Sequence, residues 1–359
     1  MEGKYMENTT ANTETPTVST TDLAQKFKIT YKKCKKLIFW ACIAIIFQMV
    51  IAAVLSSILN VIFGAVPALN AFSQSGSSTM LVTAISYLIA NPLAAFICLK
   101  ASKIGKTTAM FKGNTFNAFE AVCACFAMTG STIVITLLST LFSSLFAGSD
   151  EYLNGFIGGG LEGSAFDLAI TILYVCILGP ITEEILCRGA ILRISSPVGK
   201  VCAMVLSSVL FGLMHGNFTQ IVNATVMGFV LAYVAIKSNS VIVPCIMHIF
   251  NNSTSVIFAA VAMDMTEQQV IVLNIAFEAV VVVGGTLGLI YLIKKHGKIT
   301  KNDKILVNEV VSEADVEEAK AVKKSLALKT VLTCPSFWIV FVCCNLLAIA
   351  IATGLVASA

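Results

Sequence analysis

Two adjacent carboxylates, Glu183 and Glu184, open the part of this sequence whose residue types could do chemistry. They stand in Pro180-Ile181-Thr182-Glu183-Glu184-Ile185-Leu186-Cys187-Arg188-Gly189. Downstream come Phe211-Gly212-Leu213-Met214-His215 and then His248-Ile249-Phe250-Asn251-Asn252. The chain has three histidines, and two of them are in these stretches. The arginines, Arg188 and Arg193, both follow the Glu pair closely. A carboxylate beside an imidazole can take a proton from water, and burial makes the carboxylate a better base. A second histidine and an asparagine amide are suitable donors to the oxyanion of a tetrahedral intermediate. Alternatively, a glutamate and two histidines are three ligands of a catalytic zinc whose fourth position stays open to water. Both routes are hydrolysis, and the residue types leave the choice open.

Helix geometry brings these groups together. His248 and Asn252 are four apart and share one helix face. Glu184 and Arg188 have the same spacing and can pair, which turns Glu183 about 100° away around the helix. At ~1.5 Å per residue, Glu183 lies ~15 Å from Arg193, His215 ~20 Å from Lys200 and His248 ~15 Å from Lys237. Three polar groups on three helices therefore converge at a similar depth.

The elements that must hold them are membrane helices. Hydrophobic residues make up 57% of the chain and charged ones 12%, too apolar a balance for an ordinary soluble domain. Apolar runs of about 20 residues recur, the length that crosses a ~30 Å hydrocarbon layer. The expected spans are 37–63, 80–99, 116–147, 166–194, 201–217, 219–236, 240–262, 269–293 and 335–357. The expected fold is all-α, a polytopic transmembrane bundle of about eight helices with one appended C-terminal helix. Loops bearing Lys100, Lys103, Lys106 and Lys112, then Arg193 and Lys200, then Lys237, then Lys294 and Lys295 alternate with neutral or acidic ones. The positive-inside rule then puts the N-terminus in the cytoplasm.

Six segments follow from this pattern: a polar and basic cytoplasmic tail over 1–36, N-terminal membrane helices over 37–148, and the polar-residue core over 165–262. Beyond them come a further membrane helix over 269–293, a charged linker over 295–334 and the last helix over 335–357. Glu309, Glu313, Glu317 and Glu318 facing Lys320, Lys323 and Lys324 predict that the linker is helical in part. The net charge of +4 sits in short loops and reports topology, so no nucleic-acid partner is expected. The 12 cysteines are scattered, mostly inside apolar runs and without a CxxC pair, which reads as free buried thiols. Gly158-Gly159-Gly160 reads as a flexible turn in an outside loop.

Glu-Glu-x-x-x-Arg-Gly, Phe-x-x-x-His and His-x-x-x-Asn, in this order on hydrophobic segments, resemble the signature of the CPBP family of intramembrane proteases. That family includes type II CAAX prenyl endopeptidases, bacteriocin-processing proteins and Abi-type membrane proteins. The run from Gly228-Phe229 through Lys237 to Pro244 and His248 is similar to the family's approach to its third motif. The resemblance covers about 165–262, and the motif positions show no departure. It implies that Glu183 activates water together with His215, while His248 and Asn252 stabilise the oxyanion. Glu184 and Arg188 would be supporting residues. Zinc, were it used, would be held by Glu183, His215 and His248; the metal-free route is preferred because an asparagine is a poor zinc ligand. The resemblance further implies a lipidated or precursor peptide as substrate, membrane lipid around it, and a bacterial plasma membrane.

Simpler readings exist for each residue. The Glu pair could be an interfacial carboxylate pair, His215 a helix-terminal histidine, and His248 with Asn252 interhelical glue. A non-catalytic immunity or scaffold protein of the same fold is one alternative function. A proton-coupled transporter is another, but it would be expected to show paired halves with broken helices, and no matching halves are found. Phe211 reads as packing, Asn91-Pro92 as a helix kink, and His296 as part of a basic interfacial patch. Glu278 is the intramembrane carboxylate outside the motifs that most needs an account, and a structural role is expected for it.

Overall fold

The structure is a computed structural model that describes residues 20–73, 75–104, 111, 113, 115–140, 165–216, 218–300, 303 and 329–352. The N-terminal tail before Thr20, the Gly158–Gly160 turn and the Glu/Lys pairs of the linker lie outside the described residues.

Among the described residues no strand occurs, and the nine apolar segments are helices. They are α1 (Thr20–Ala65), α2 (Gly76–Ser102), α3 (Ala118–Thr140), α4 (Ala165–Val198), α5 (Lys200–Leu213), α6 (Phe218–Ser238), α7 (Ile242–Ala262), α8 (Glu267–His296) and α9 (Pro335–Ala352). Seven of the nine, all but α5 and α9, are long and apolar enough to cross a membrane. Large hydrophobics such as Val61, Phe119, Val272 and Leu287 are exposed on the outer faces. Outward apolar side chains on every long helix but α6, which packs inside, are what a lipid solvent requires, so the chain is a multi-pass membrane protein.

The chain's polar ends sort onto two faces. Lys237 at the end of α6 donates to the Lys298 carbonyl at 2.9 Å and pairs with Asp303 at 2.9 Å. Glu120 at the start of α3 pairs with Lys295 at 2.6 Å and His296 at 3.0 Å, both at the end of α8. His296 also stacks on Phe116, with centroids 4.4 Å apart. His296 therefore does more than populate a basic patch: it helps tie α8 to α3. On the opposite face the Ser77 hydroxyl donates to Asp167, joining the starts of α2 and α4.

Helix α4 is the spine of the bundle, packed by α1, α2, α5 and α7. The helices that precede the polar core in sequence are thus part of its walls. Helix α8 lies along α3 through a seam of glycines. A Cβ on Gly130 would stand 2.9 Å from the Val281 carbonyl oxygen, and one on Gly288 would stand 2.8 Å from that of Cys123. Backbones approach this closely only where side chains are missing.

Helix α5 differs from the expected span 201–217. It ends at Leu213 after 14 residues, a length of ~21 Å that falls short of the bilayer. The chain then turns through Met214, His215 and Gly216, where Gly216 takes φ +64°. Such a turn is tolerated at membrane depth because protein surrounds it. Helix α9 is appended in sequence yet docks on α1, with Val340 and Cys344 buried. Tyr31 and Thr333 share a hydrogen bond of 2.7 Å near the point where the two helices meet.

Candidate active site

Helix α4 carries the Glu pair at a break in its winding. Residues Ile172–Leu178 and Ile185–Ile191 are π-helical, and the intervening Gly179–Glu184 is α-helical. Proline explains the first interruption. The Gly179 N–H bonds to the Tyr174 carbonyl, five residues back. In that register the Val175 carbonyl would look to residue 180, but Pro180 has no N–H. The Asn252 amide of α7 fills the place, donating to the Val175 oxygen at 2.9 Å.

The second carboxylate is buried and paired. Glu184 is 0% exposed and Arg188 1% exposed. Arg188 Nη1 donates to Glu184 Oε1 at 2.8 Å, and Nη2 donates to the Gly228 carbonyl at 3.1 Å. Gly228 is needed for this approach, since a Cβ there would crowd Ser208 at 2.9 Å. The guanidinium also lies over the Phe211 ring, 4.4 Å from its centroid. Phe211 touches both histidines as well, with centroids 5.1 Å from His215 and 5.6 Å from His248. Its role is packing, at the centre of the polar groups.

Glu184 Oε1 takes a further hydrogen bond, from His248 Nδ1 at 3.2 Å. A carboxylate paired with arginine only accepts, so Nδ1 carries the proton and Nε2 is left free. That Nε2 lies 3.8 Å from Glu183 Oε2. His215 is fixed likewise: its Nδ1 donates to the Phe211 carbonyl at 2.8 Å and covers a helix-end acceptor. The carboxylate–imidazole contact that the structure shows for Glu183 therefore involves His248, whereas His215 is turned onto Phe211.

Glu183, His215, His248 and Asn252 all line one cavity of about 590 Å³. Glu183 keeps 20% of its side chain exposed there, in contrast to the sealed Glu184. Asn252 spends one amide N–H on Val175, and its oxygen accepts from Asn251 at 3.3 Å. One N–H remains for the cavity. Hydroxyl and amide groups continue the wall beyond the motifs: Thr132, Thr136, Gln220, Asn223, Asn251 and Asn274. Sequence reasoning passed over these; their signal was amides and hydroxyls on apolar helices. Asn91, taken from sequence as a kink, donates to Thr182 at 3.2 Å and ties α2 to the turn that bears Glu183.

The donor set was tested against a metal. No three His, Cys, Asp or Glu side chains among the described residues are grouped as one ion would require. Glu183 and His248 approach each other, but the ring of His215 is held by Phe211. As arranged, these three residues do not fit a shared zinc.

The fold and this cavity define a multi-pass helical membrane protein with a polar cavity between its helices. Comparison with known proteins finds similarity over part of the chain. Residues 165–254 match the family described as type II CAAX prenyl endopeptidase Rce1-like. Over 124 residues the chain is 32% identical to a Bacillus subtilis (strain 168) protein named "Putative membrane peptidase YdiL". That stretch is 33% of this chain and 51% of the relative, so the chain spans about half the relative's length. No solved structure matches the chain. Both similarities fall on the part of the chain that carries Glu183 and its neighbours, and they are to membrane peptidases.

Proposed function

We propose that the protein is an intramembrane endopeptidase that hydrolyses peptide bonds of membrane-associated peptides with water activated at Glu183. The observation that carries this reading is the shared cavity: an accessible carboxylate, two imidazoles with free Nε2 atoms and an amide N–H all face it. Glu183 takes a proton from water, and the water oxygen bonds to the substrate carbonyl carbon. His215 accepts a hydrogen bond from the same water through Nε2 and orients it. The carbonyl electron pair moves onto oxygen, where the remaining Asn252 N–H stabilises it; His248 adds a second donor once its Nε2 has taken up a proton from solvent, before water is activated. Collapse breaks the C–N bond, and the leaving nitrogen takes the proton from Glu183. Glu184, held in turn by Arg188, accepts from His248 Nδ1 and so directs Nε2 toward the cavity. No step is routed through a metal.

A peptide suits the cavity better than a lipid chain does. An extended backbone inside the membrane needs partners for its N–H and C=O groups, and the Thr, Asn and Gln wall supplies them. The lysine-bearing face, with Lys100, Lys237 and Lys295, is taken as cytoplasmic by its charge. By analogy with the family, prenylated C-termini and bacteriocin or pheromone precursors are the substrate classes to try first.

The test compares protein termini and released peptides from cells that express the wild type, Glu183→Gln or His248→Ala at equal levels. Termini that vanish in both variants support the protease and identify its substrates. If both variants retain every terminus and every phenotype of the wild type, the site is not catalytic, and a non-enzymatic membrane protein with a polar core is the better description.

A further inference from the structure

The polar cavity does not end at the Glu183 site. It continues along α7 and α8 to Glu278, with Asn274 one turn earlier on the same face of α8. Other carboxylates of the bundle are matched: Glu184 by Arg188, Glu120 by Lys295 and His296, Asp167 by Ser77. Among the described residues, no lysine, arginine or histidine forms an ion pair with Glu278. Among the described residues, the cavity wall contains no lysine or arginine, and its histidines are those at the Glu183 end. An intramembrane carboxylate is costly to keep and is retained where it has a partner or a task. Here no described residue of the wall that Glu278 faces is that partner.

Position fixes what that partner could be. Phe258 of α7 packs on Phe277 of α8 with centroids 4.2 Å apart, which sets Glu278 level with position 258. His248 lies ten residues earlier on α7, a distance of ~15 Å along the helix. An extended peptide covers ~3.3–3.6 Å per residue, so this separation is about four residues. The glycine seam between α3 and α8 holds the carboxylate at that height, because the two backbones are in contact at Gly130 and Gly288.

We infer that Glu278 is a specificity residue that receives a lysine or arginine side chain of the substrate, about four residues from the bond cleaved near Glu183. The inference rests on the protease reading and deepens it by naming a substrate class. Glu278 supplies the charge, and Asn274 supplies an amide oxygen to a remaining ammonium or guanidinium N–H. A neutral or acidic residue at that place would leave Glu278 unpaired in a low-dielectric cavity, so the site would discriminate against it.

The experiment extends the terminus comparison to Glu278→Gln and Glu278→Lys beside Glu183→Gln, all as full-length protein in cells at equal expression. The expected result has three parts. Cuts lost in Glu183→Gln carry Lys or Arg three to five residues from the cleaved bond. Glu278→Gln lowers their yield by about tenfold or more. Glu278→Lys shifts the remaining cuts toward Asp or Glu at that position. Cuts that depend on Glu183 but show no basic residue there, or that survive Glu278→Gln at full yield, overturn this inference and leave the protease intact. If Glu183→Gln loses no cut at all, the protease reading fails and this inference fails with it. Because Gln is nearly isosteric with Glu, normal abundance of that variant separates altered recognition from misfolding.

Discussion

Replacing Arg188 by methionine leaves Glu184 as an unpaired charge in the centre of the bundle. Both side chains are 0% exposed, so water cannot take over the lost interactions. Removing one partner of a buried ion pair costs about 3–5 kcal/mol, against a total stability on the order of 5–15 kcal/mol. At about 2–4 °C per kcal/mol, the melting temperature of the purified protein in lipid or detergent falls by roughly 10 °C. The pair itself is incompletely satisfied, since Glu184 Oε2 and Arg188 Nε have no hydrogen-bond partner. Its net contribution over a neutral pair is therefore small. The double variant Glu184→Gln/Arg188→Met carries no buried charge and is expected to recover at least about 2 kcal/mol of the single variant's loss. The assay is a thermal double-mutant cycle with Glu184→Gln as the fourth corner. If Arg188→Met and the double variant melt at the same temperature, the loss arises from packing over Phe211 and against Gly228, and the electrostatic reasoning is refuted.

Three further outcomes are expected. Asn252→Ala strands the Val175 carbonyl and costs about 1–3 kcal/mol, but the loss shrinks in a Pro180→Ala background, where residue 180 regains an N–H; equal losses in the two backgrounds would contradict the proline account. Gly288→Val drives a side chain into the Cys123 carbonyl, separates α8 from α3 and costs about 1–3 kcal/mol, measured as a lower melting temperature. Burial works to raise the Asp303 carboxyl, yet the Thr300 N–H and the Lys237 ammonium outweigh it and hold the group below its ordinary 3.8. Its contribution is thus present above that value and lost as pH falls through the lower folded one. Hydrogen exchange of the 297–300 backbone is expected to speed up only in that acid range in the wild type, and at neutral pH in Asp303→Asn.

Much of this architecture was legible because a membrane helix is defined by length and polarity alone. Each apolar run became a helix, and the alternation of lysine loops agrees with the contacts that put Lys237, Lys295 and Asp303 on one face. The gathering of Glu183, His215, His248 and Asn252 around one cavity followed from spacing and depth. Less legible was everything that depends on backbone register. A uniform 100° per residue places Glu183 correctly away from Arg188 but cannot anticipate two π-helical stretches around it. The end of α5 at Leu213 falls four residues short of the expected 217, and the sign of it was the polar His215-Gly216-Asn217, where the histidine could be read as a helix terminus. Which imidazole faces Glu183 was equally out of reach, since it turns on the Phe211 carbonyl that captures His215.

The hydrogen-bond inventory constrains how the four polar groups can divide the work. A neutral His248 that donates through Nδ1 to Glu184 offers Nε2 only as an acceptor, so it cannot stabilise an oxyanion until it gains a proton. The same holds for His215, whose Nδ1 proton is committed to Phe211. Asn252 alone brings a donor to the cavity at every protonation state, and half of its amide is already spent on the carbonyl that Pro180 leaves without a partner. The proline is thereby coupled to the proposed chemistry. It frees a carbonyl, the carbonyl aligns Asn252, and that alignment decides where the remaining N–H points. Pro180 lies less than one helical turn before Glu183 and carries no group that reacts, yet its substitution is expected to alter oxyanion stabilisation and hence turnover more than substrate binding.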